Sequence, residues 1–335
     1  MLKKLATAAA AAIALLGVQH APAGRLDPAL ETRLSAAGPS EKIRIIVEMK
    51  EQARPRDLIR ALPKGARKAK LKALVAGLKD KARRRQAGIE VELAREQTLG
   101  AAERVVPFWV FNGLALRANP GLIRRLAARD DVLEVRLDQE IPPPPRPAEA
   151  SAPSGPTEWN IAHIRAPEVW ALDPAYNGQG TVVGSFDTGV DLAHPELFER
   201  YRGNHAISWF DPYGEHSLPT DFNGHGTHTI ATAVGGGAGG SAIGVAPGAK
   251  WIAAKAWADN GVGLASAFHS IFEWFLAPGG DPDNAPDVVN NSWAFIAAGC
   301  NSEFVPDIEA WRAAEIFPAF AAGNAGPSAG SVRSP

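Results

Sequence analysis

The segment Thr181-Val-Val-Gly-Ser-Phe-Asp-Thr-Gly189 decides the fold. Its run from Thr181 to Phe186 is nearly all apolar or small, which suits a strand buried on both faces in a parallel sheet, and Asp187-Thr188-Gly189 follows at once. The same texture recurs downstream. Lys250–Lys255, Asp287–Asn290 and Phe317–Ala322 are further candidate strands, and Ala265–Leu276 reads as an intervening helix. Short apolar strands alternating with helices give an α/β fold with a mainly parallel sheet. Ligands of such sheets sit at the carboxyl ends of the strands. Three polar signatures lie at or near such ends: Asp187-Thr188-Gly189; His225-Gly226-Thr227-His228, preceded by Asn223-Gly224 and followed by the small-residue helical run Thr229–Val234; and Ala321-Ala322-Gly323-Asn324.

Upstream of this domain the texture differs. Lys42–Lys50 alternates as a strand, and residues 56–99 carry Leu71, Leu74, Val75 and Leu78 at helical spacing with lysines and arginines mostly elsewhere. Val105–Val110 and Leu114–Ala118 read as strands around the turn signal Asn112-Gly113. Pro120 opens a helix through Ala128, and Val132–Leu137 is a last strand. That order makes a small α+β module over residues 24–140. Residues 141–157 are rich in Pro, Ala and Ser and read as an extended linker to a second domain over 158–335. Ahead of the module, Lys3 and Lys4, the apolar run Leu5–Val18 and Ala21-Pro22-Ala23 form the pattern of an export signal over residues 1–23. The expectation is therefore a secreted, extracellular or periplasmic protein, with no membrane attachment after signal cleavage.

Composition supports two folded units. The chain has 335 residues, 46% hydrophobic and 21% charged, with a formal net charge of −1. That near-neutrality hides a division. Residues 1–156 hold 28 Lys and Arg against 17 Asp and Glu, whereas residues 157–335 hold 7 against 19. Opposite charge on two segments of one chain suits docking of one on the other. The basic helical stretch lacks aromatic residues, so it reads as a solvated face and no nucleic-acid partner is expected. Cys300 is the sole cysteine, so no intrachain disulfide can form.

A carboxylate, an imidazole and an amide at one sheet edge supply three of the four groups that acyl transfer by a serine hydrolase needs. The carboxylate orients the imidazole, the imidazole moves the nucleophile's proton, and the amide stabilises the oxyanion. Ser185–Leu197 resembles the aspartate signature of the subtilisin-like serine proteases, Asn223–His228 their histidine signature, and Ala321–Asn324 their oxyanion-hole segment. Trp159–Trp170, Gly244–Pro247 and Asn290–Trp293 are similar to other stretches of the same family, in its bacillopeptidase F-like bacterial branch. The resemblance implies a three-layer α/β/α catalytic domain, here incomplete, preceded by a ferredoxin-like pro-domain of the inhibitor I9 type. It implies Asp187, His225 and Asn324 as catalytic residues, with Gly261, Val262, Gly263, Ser292, Trp293 and Ala294 flanking an extended peptide substrate, Trp293 narrowing the cleft wall. It also implies the pro-domain as intramolecular inhibitor and partner. No cofactor is implied. Structural calcium is frequent in the family, and no ligand loop for it can be named here.

The family's nucleophile stands in a Gly-Thr-Ser-Met/Leu-Ala motif, and Gly-Thr-Ser occurs nowhere in the 335 residues. Ser328, Ser331 and Ser334 are too near Asn324 to replace it. The expectation is an incomplete precursor ending before its serine and inactive as it stands; the alternative is a non-catalytic pseudo-protease that binds peptides or inhibits related enzymes. Asp187-Thr-Gly also occurs in aspartic proteases, which need a second such carboxylate. His225 and His228, with Asp187, are the residues a zinc hydrolase would use, but the Glu of a His-Glu-x-x-His helix is absent. His228 is expected to be packed and hydrogen-bonded, and Asp191 and His194 to shape the loop after Asp187.

Overall fold

The computed structural model describes residues 24–63, 65–148, 155–295 and 299–334. The export signal proposed for residues 1–23 and residues 149–154 of the linker lie outside them. No helix of the described residues is long and apolar enough to cross a membrane.

The N-terminal module contains β1 (Arg25–Leu26), α1 (Pro28–Ser35), β2 (Ile43–Met49), α2 (Pro55–Ile59), α3 (Arg67–Thr98), β3 (Ala102–Phe108), β4 (Gly113–Ala118), α4 (Pro120–Ala127) and β5 (Val132–Leu137). Its five-stranded sheet runs in the order β1-β5-β2-β4-β3, antiparallel except for β1 beside β5. Two elements, β1 and α1, escape the sequence pattern. Two residues are too few to show alternation, and α1 is recognisable by its caps: the Asp27 carboxylate accepts from the N–H groups of Ala29 and Leu30, and Pro28 sets the first turn. Leu30, Ile45, Val47, Ile89, Leu116, Ile123 and Val135 form a core of the module's own.

After the short β6 (Glu140–Ile141) come α5 (Trp159–His163), α6 (Ala166–Leu172), β7 (Val182–Asp187), α7 (His205–Ser208), β8 (Trp209–Phe210), α8 (His225–Val234) and β9 (Lys250–Lys255). They are followed by β10 (Gly263–Leu264), α9 (Ala265–Leu276), β11 (Val288–Asn291), α10 (Val305–Ala313) and β12 (Phe317–Phe320). The second sheet, ordered β12-β11-β7-β9-β8, is parallel throughout. Alternation along its strands builds two cores. Val183, Trp251 and Ala253 face Ile230 and Val234 of α8, while Phe186, Ile252 and Ala254 face Phe268, Phe272, Phe275 and Trp311 of α9 and α10. The sheet is thus the middle of three layers.

The second of these cores does not stop at the helices. It continues into Ile46, Leu71, Leu74, Leu78, Phe108 and Phe111 of the module, so the two units share buried apolar surface. The basic face of α3 is correspondingly only partly solvated. Arg67 donates to the Pro286 carbonyl at 2.6 Å, Lys70 pairs with Glu315, and Lys72 meets Asp283 at 2.7 Å. Arg136 of β5 reaches Glu303 at 2.7 Å.

The segment 141–157 does not start as a free linker. Ile141 is 1% exposed and pairs antiparallel with Gly263, as Glu140 does with Leu264. A single apolar side chain amid prolines carries no periodicity, so its burial was not readable beforehand.

Candidate active site

Residue Asp187 ends β7 and points to the α8 face of the sheet, where it is fully buried. Its Oδ1 lies 2.8 Å from His225 Nδ1 and accepts the Thr188 N–H at 2.7 Å, while Oδ2 accepts the Thr229 hydroxyl at 3.1 Å. A carboxylate so placed fixes the imidazole tautomer with the proton on Nδ1 and leaves Nε2 for chemistry. Burial raises the Asp187 carboxyl above its ordinary range, opposed by the hydrogen bond and charge of His225. For His225, burial disfavours the charged ring, but the hydrogen bond and charge of Asp187, with Asp221 beyond, outweigh it and hold the imidazole above its ordinary value. The His225 side chain is 18% exposed, so the ring is reachable from the cleft.

Two glycines permit this approach. Gly226 follows His225 in the first turn of α8, and a Cβ there would stand 2.1 Å from the Gly189 carbonyl oxygen. Gly189 has φ +116, and a Cβ on it would stand 2.0 Å from the Thr220 oxygen. The Thr188 hydroxyl accepts from the Gly226 N–H at 2.9 Å and donates to Asp221, which also takes the N–H and hydroxyl of Thr227. Asp221 and Thr229 are additions that sequence reasoning did not single out. The acid two residues before Asn223 was the available signal.

The remaining expectations fare differently. Asp191 does shape its loop, its carboxylate accepting from the Ala193 N–H and its N–H donating to Thr227 Oγ1, and His194 Nδ1 accepts from the Glu196 N–H. His228 is exposed, and its ring makes no hydrogen bond among the described residues. Trp293 does not line a cleft wall with its ring. It is 4% exposed and edge-on to Phe268 and Phe304 within the aromatic core, while Ser292 and Ala294 beside it are partly exposed. Asn324 lies exposed beyond β12, with no hydrogen bond to Asp187 or His225.

The edge Gly261-Val262-Gly263 is occupied by the chain itself. Beyond the β6–β10 pair, the Trp257 indole donates to the Ile141 carbonyl at 2.8 Å and Asn223 Nδ2 donates to the Pro144 carbonyl at 3.3 Å. Pro143 stands against Gly261, and Pro147 against Gly224. Residues 140–147 therefore run along the cleft past His225. Nearby, Glu215, His216 and Asp259 are close enough to share a cation, but the Lys255 ammonium already lies 2.6 Å from Glu215 and 2.8 Å from Asp259.

Residues 178–335 match the model of the subtilase family, Peptidase S8. Bacillopeptidase F of Bacillus subtilis is 35% identical over 85% of this chain, which spans 22% of that protein. A subtilisin-like protease of Coccidioides posadasii is 30% identical over 64% of the chain, which spans 50% of it. Among solved structures, fervidolysin from Fervidobacterium pennivorans, described as a keratinolytic enzyme related to subtilisin, superposes with a TM-score of 0.52 at 17% identity, over 85% of this chain and 40% of that one.

Proposed function

Because residues 178–335 match the subtilase family model, we propose that the chain is part of a secreted serine endopeptidase precursor, with residues 24–140 as its inhibitory pro-domain. The observation that carries this reading is the buried Asp187 carboxylate 2.8 Å from His225 Nδ1 at the carboxyl end of a parallel strand. In the proposed reaction His225 Nε2 takes the proton of a serine hydroxyl as that oxygen attacks the peptide carbonyl, then returns it to the leaving amine. Asp187 stays ionised and stabilises the transient imidazolium. Asn324 is the proposed amide donor to the oxyanion. Peptide substrate would take the place of residues 140–147, adding a strand to Gly263–Leu264.

The docked module supports the inhibitory assignment. It shares a core with α9 and α10, carries the basic residues that pair with the acidic domain, and sends its own C-terminal strand into the cleft. None of the 335 residues is a serine in a Gly-Thr-Ser context, so the polypeptide of this sequence is proposed to be inactive. The test is direct. The 335-residue polypeptide should neither cleave casein nor react with a fluorophosphonate, and a gene product that carries the Gly-Thr-Ser segment should do both and lose cleavage on His225→Ala. Serine-reagent-sensitive hydrolysis by the 335-residue form would overturn the assignment of the nucleophile; a longer product indifferent to His225→Ala would overturn the assignment of the base.

A further inference from the structure

The side chain of Trp257 is buried, yet its one polar atom serves the segment lying in the cleft. The residue is 3% exposed, and its ring stands edge-on to Phe268 of α9, with centroids 5.2 Å apart. A contact within the α/β domain itself therefore orients the indole. Its Nε1–H donates to the main-chain carbonyl of Ile141 at 2.8 Å, the single acceptor it has among the described residues. That carbonyl belongs to the β6–β10 pair, in which Ile141 stands opposite Gly263. Gly263 keeps the path open. A Cβ on it would stand 2.5 Å from Trp257 Nε1 and 2.8 Å from the Ile141 oxygen, so any side chain at 263 would wedge the donor from its acceptor.

We propose that Trp257 is a substrate-binding residue of the cleft: its indole N–H holds the main-chain carbonyl of an extended peptide at the residue opposite Gly263. This rests on the reading that peptide substrate takes the place of residues 140–147. The atom recognised is a peptide oxygen and not a side chain, so every strand laid along Gly263–Leu264 offers one at the same place. The contact fixes register. Successive carbonyls of a strand point to opposite edges, and a peptide slipped by one residue presents none to Trp257. Three residues after Ile141, the Pro144 carbonyl accepts from Asn223 Nδ2 at 3.3 Å, and Asn223 stands two residues before His225. Trp257 thus holds the peptide upstream of the base and helps to decide which peptide bond reaches it. An indole N–H left buried without its acceptor loses free energy, and filling the cleft recovers it as affinity.

The test measures peptide binding to the whole 335-residue chain carrying Ile141→Asp, which sets a carboxylate in an apolar site and so frees residues 140–147; limited proteolysis within 142–157 shows the release. One ligand is a synthetic peptide of residues 138–147 with Pro142→Ala. The other has lactate in place of that alanine, which turns the carbonyl before it into an ester, a weaker acceptor. Proline stands at 142 in the chain, so no N–H of the native contact is lost. The amide peptide is expected to bind about tenfold more tightly than the ester, and this ratio is expected to fall below about threefold when Trp257→Phe is added. The phenyl ring keeps packing against Phe268, and a merely structural role would weaken both peptides alike.

Equal binding of the two peptides by the chain that retains Trp257, or a ratio unchanged by Trp257→Phe, would overturn the proposal. So would failure of the amide peptide to bind once residues 140–147 are free. Should a variant misfold or the segment stay seated, the Trp257 Nε1–H of the unaltered chain decides: exchange with solvent slowed at least about tenfold relative to a free indole supports the contact, and exchange at the free rate refutes it. Binding is read without turnover, so failure of the protease reading and failure of this proposal are told apart.

Discussion

The indole N–H of Trp257 donates to the carbonyl of Ile141 at 2.8 Å, joining the end of the N-terminal module to the strand end beside the Asp187–His225 pair. The same Ile141 pairs with Gly263 through its backbone and buries its side chain in the core shared with Phe268 and Trp293. Strand addition, a side-chain hydrogen bond and apolar burial act together on one residue, and the prolines after it cannot donate to the sheet edge.

Replacing Ile141 by Asp would place a carboxylate in an apolar site with no cation. The expected cost to seating of residues 140–147 is on the order of 3 kcal/mol. Limited proteolysis of the 335-residue chain should then cut within 142–157 much faster than in the parent. Equal rates would mean that Ile141 does not hold the segment.

Asp187→Asn should lower the titration point of His225. The parent imidazole is held above its ordinary 6.5 despite burial, through Asp187 and Asp221, so the stability this contributes is full below about 6.5 and lost as pH rises through the native value. NMR titration of the His225 ring protons checks the direction. A ring that titrates unchanged in Asp187→Asn would show that Asp187 does not set its charge.

Arg136→Ala should weaken the module's docking by about 3 kcal/mol, because Glu303 and Glu48 are left facing each other across a buried site. Glu303 is held down to about 2: burial disfavours its charge, and His269 and Arg136 more than compensate. Its contribution is therefore complete above the ordinary carboxylate range and vanishes as pH falls towards about 2. Acid unfolding followed by tryptophan fluorescence should start at higher pH in Arg136→Ala than in the parent.

Gly226→Ala should cost about 3 kcal/mol and loosen the pair of site residues together. The added methyl would stand 2.1 Å from the Gly189 oxygen and 3.0 Å from Asp187 Cβ, so α8 must move off β7 and carry His225 with it. A lower Tm accompanied by a His225 titration shifted towards its ordinary value is the expected pair of results; a stable variant with an unshifted ring would contradict the close approach.

The strands were legible where burial on both faces leaves an unbroken apolar run, as at Lys250–Lys255, and α9 was legible from Ala265 to Leu276 because its apolar residues recur at helical spacing. The aspartate and histidine were legible because short polar motifs stand beside such runs. The burial of Trp293, the exposure of His228 and the seating of Ile141 were not, since each depends on which neighbour arrives from a distant part of the chain. Trp293 is flanked by Phe186, Phe268, Phe304 and Phe320, from four separate segments.

By itself the sequence determined the parallel α/β domain and marked Asp187 and His225 as candidate site residues, because local pattern and adjacent motifs encode these directly. Only the tertiary structure decided that the basic helix faces the acidic domain, that the proline-rich segment begins inside the cleft, and that the Trp257 indole meets the Ile141 carbonyl. These are relations between residues more than a hundred positions apart. They arise from the shape of the packed surfaces, which no local periodicity records.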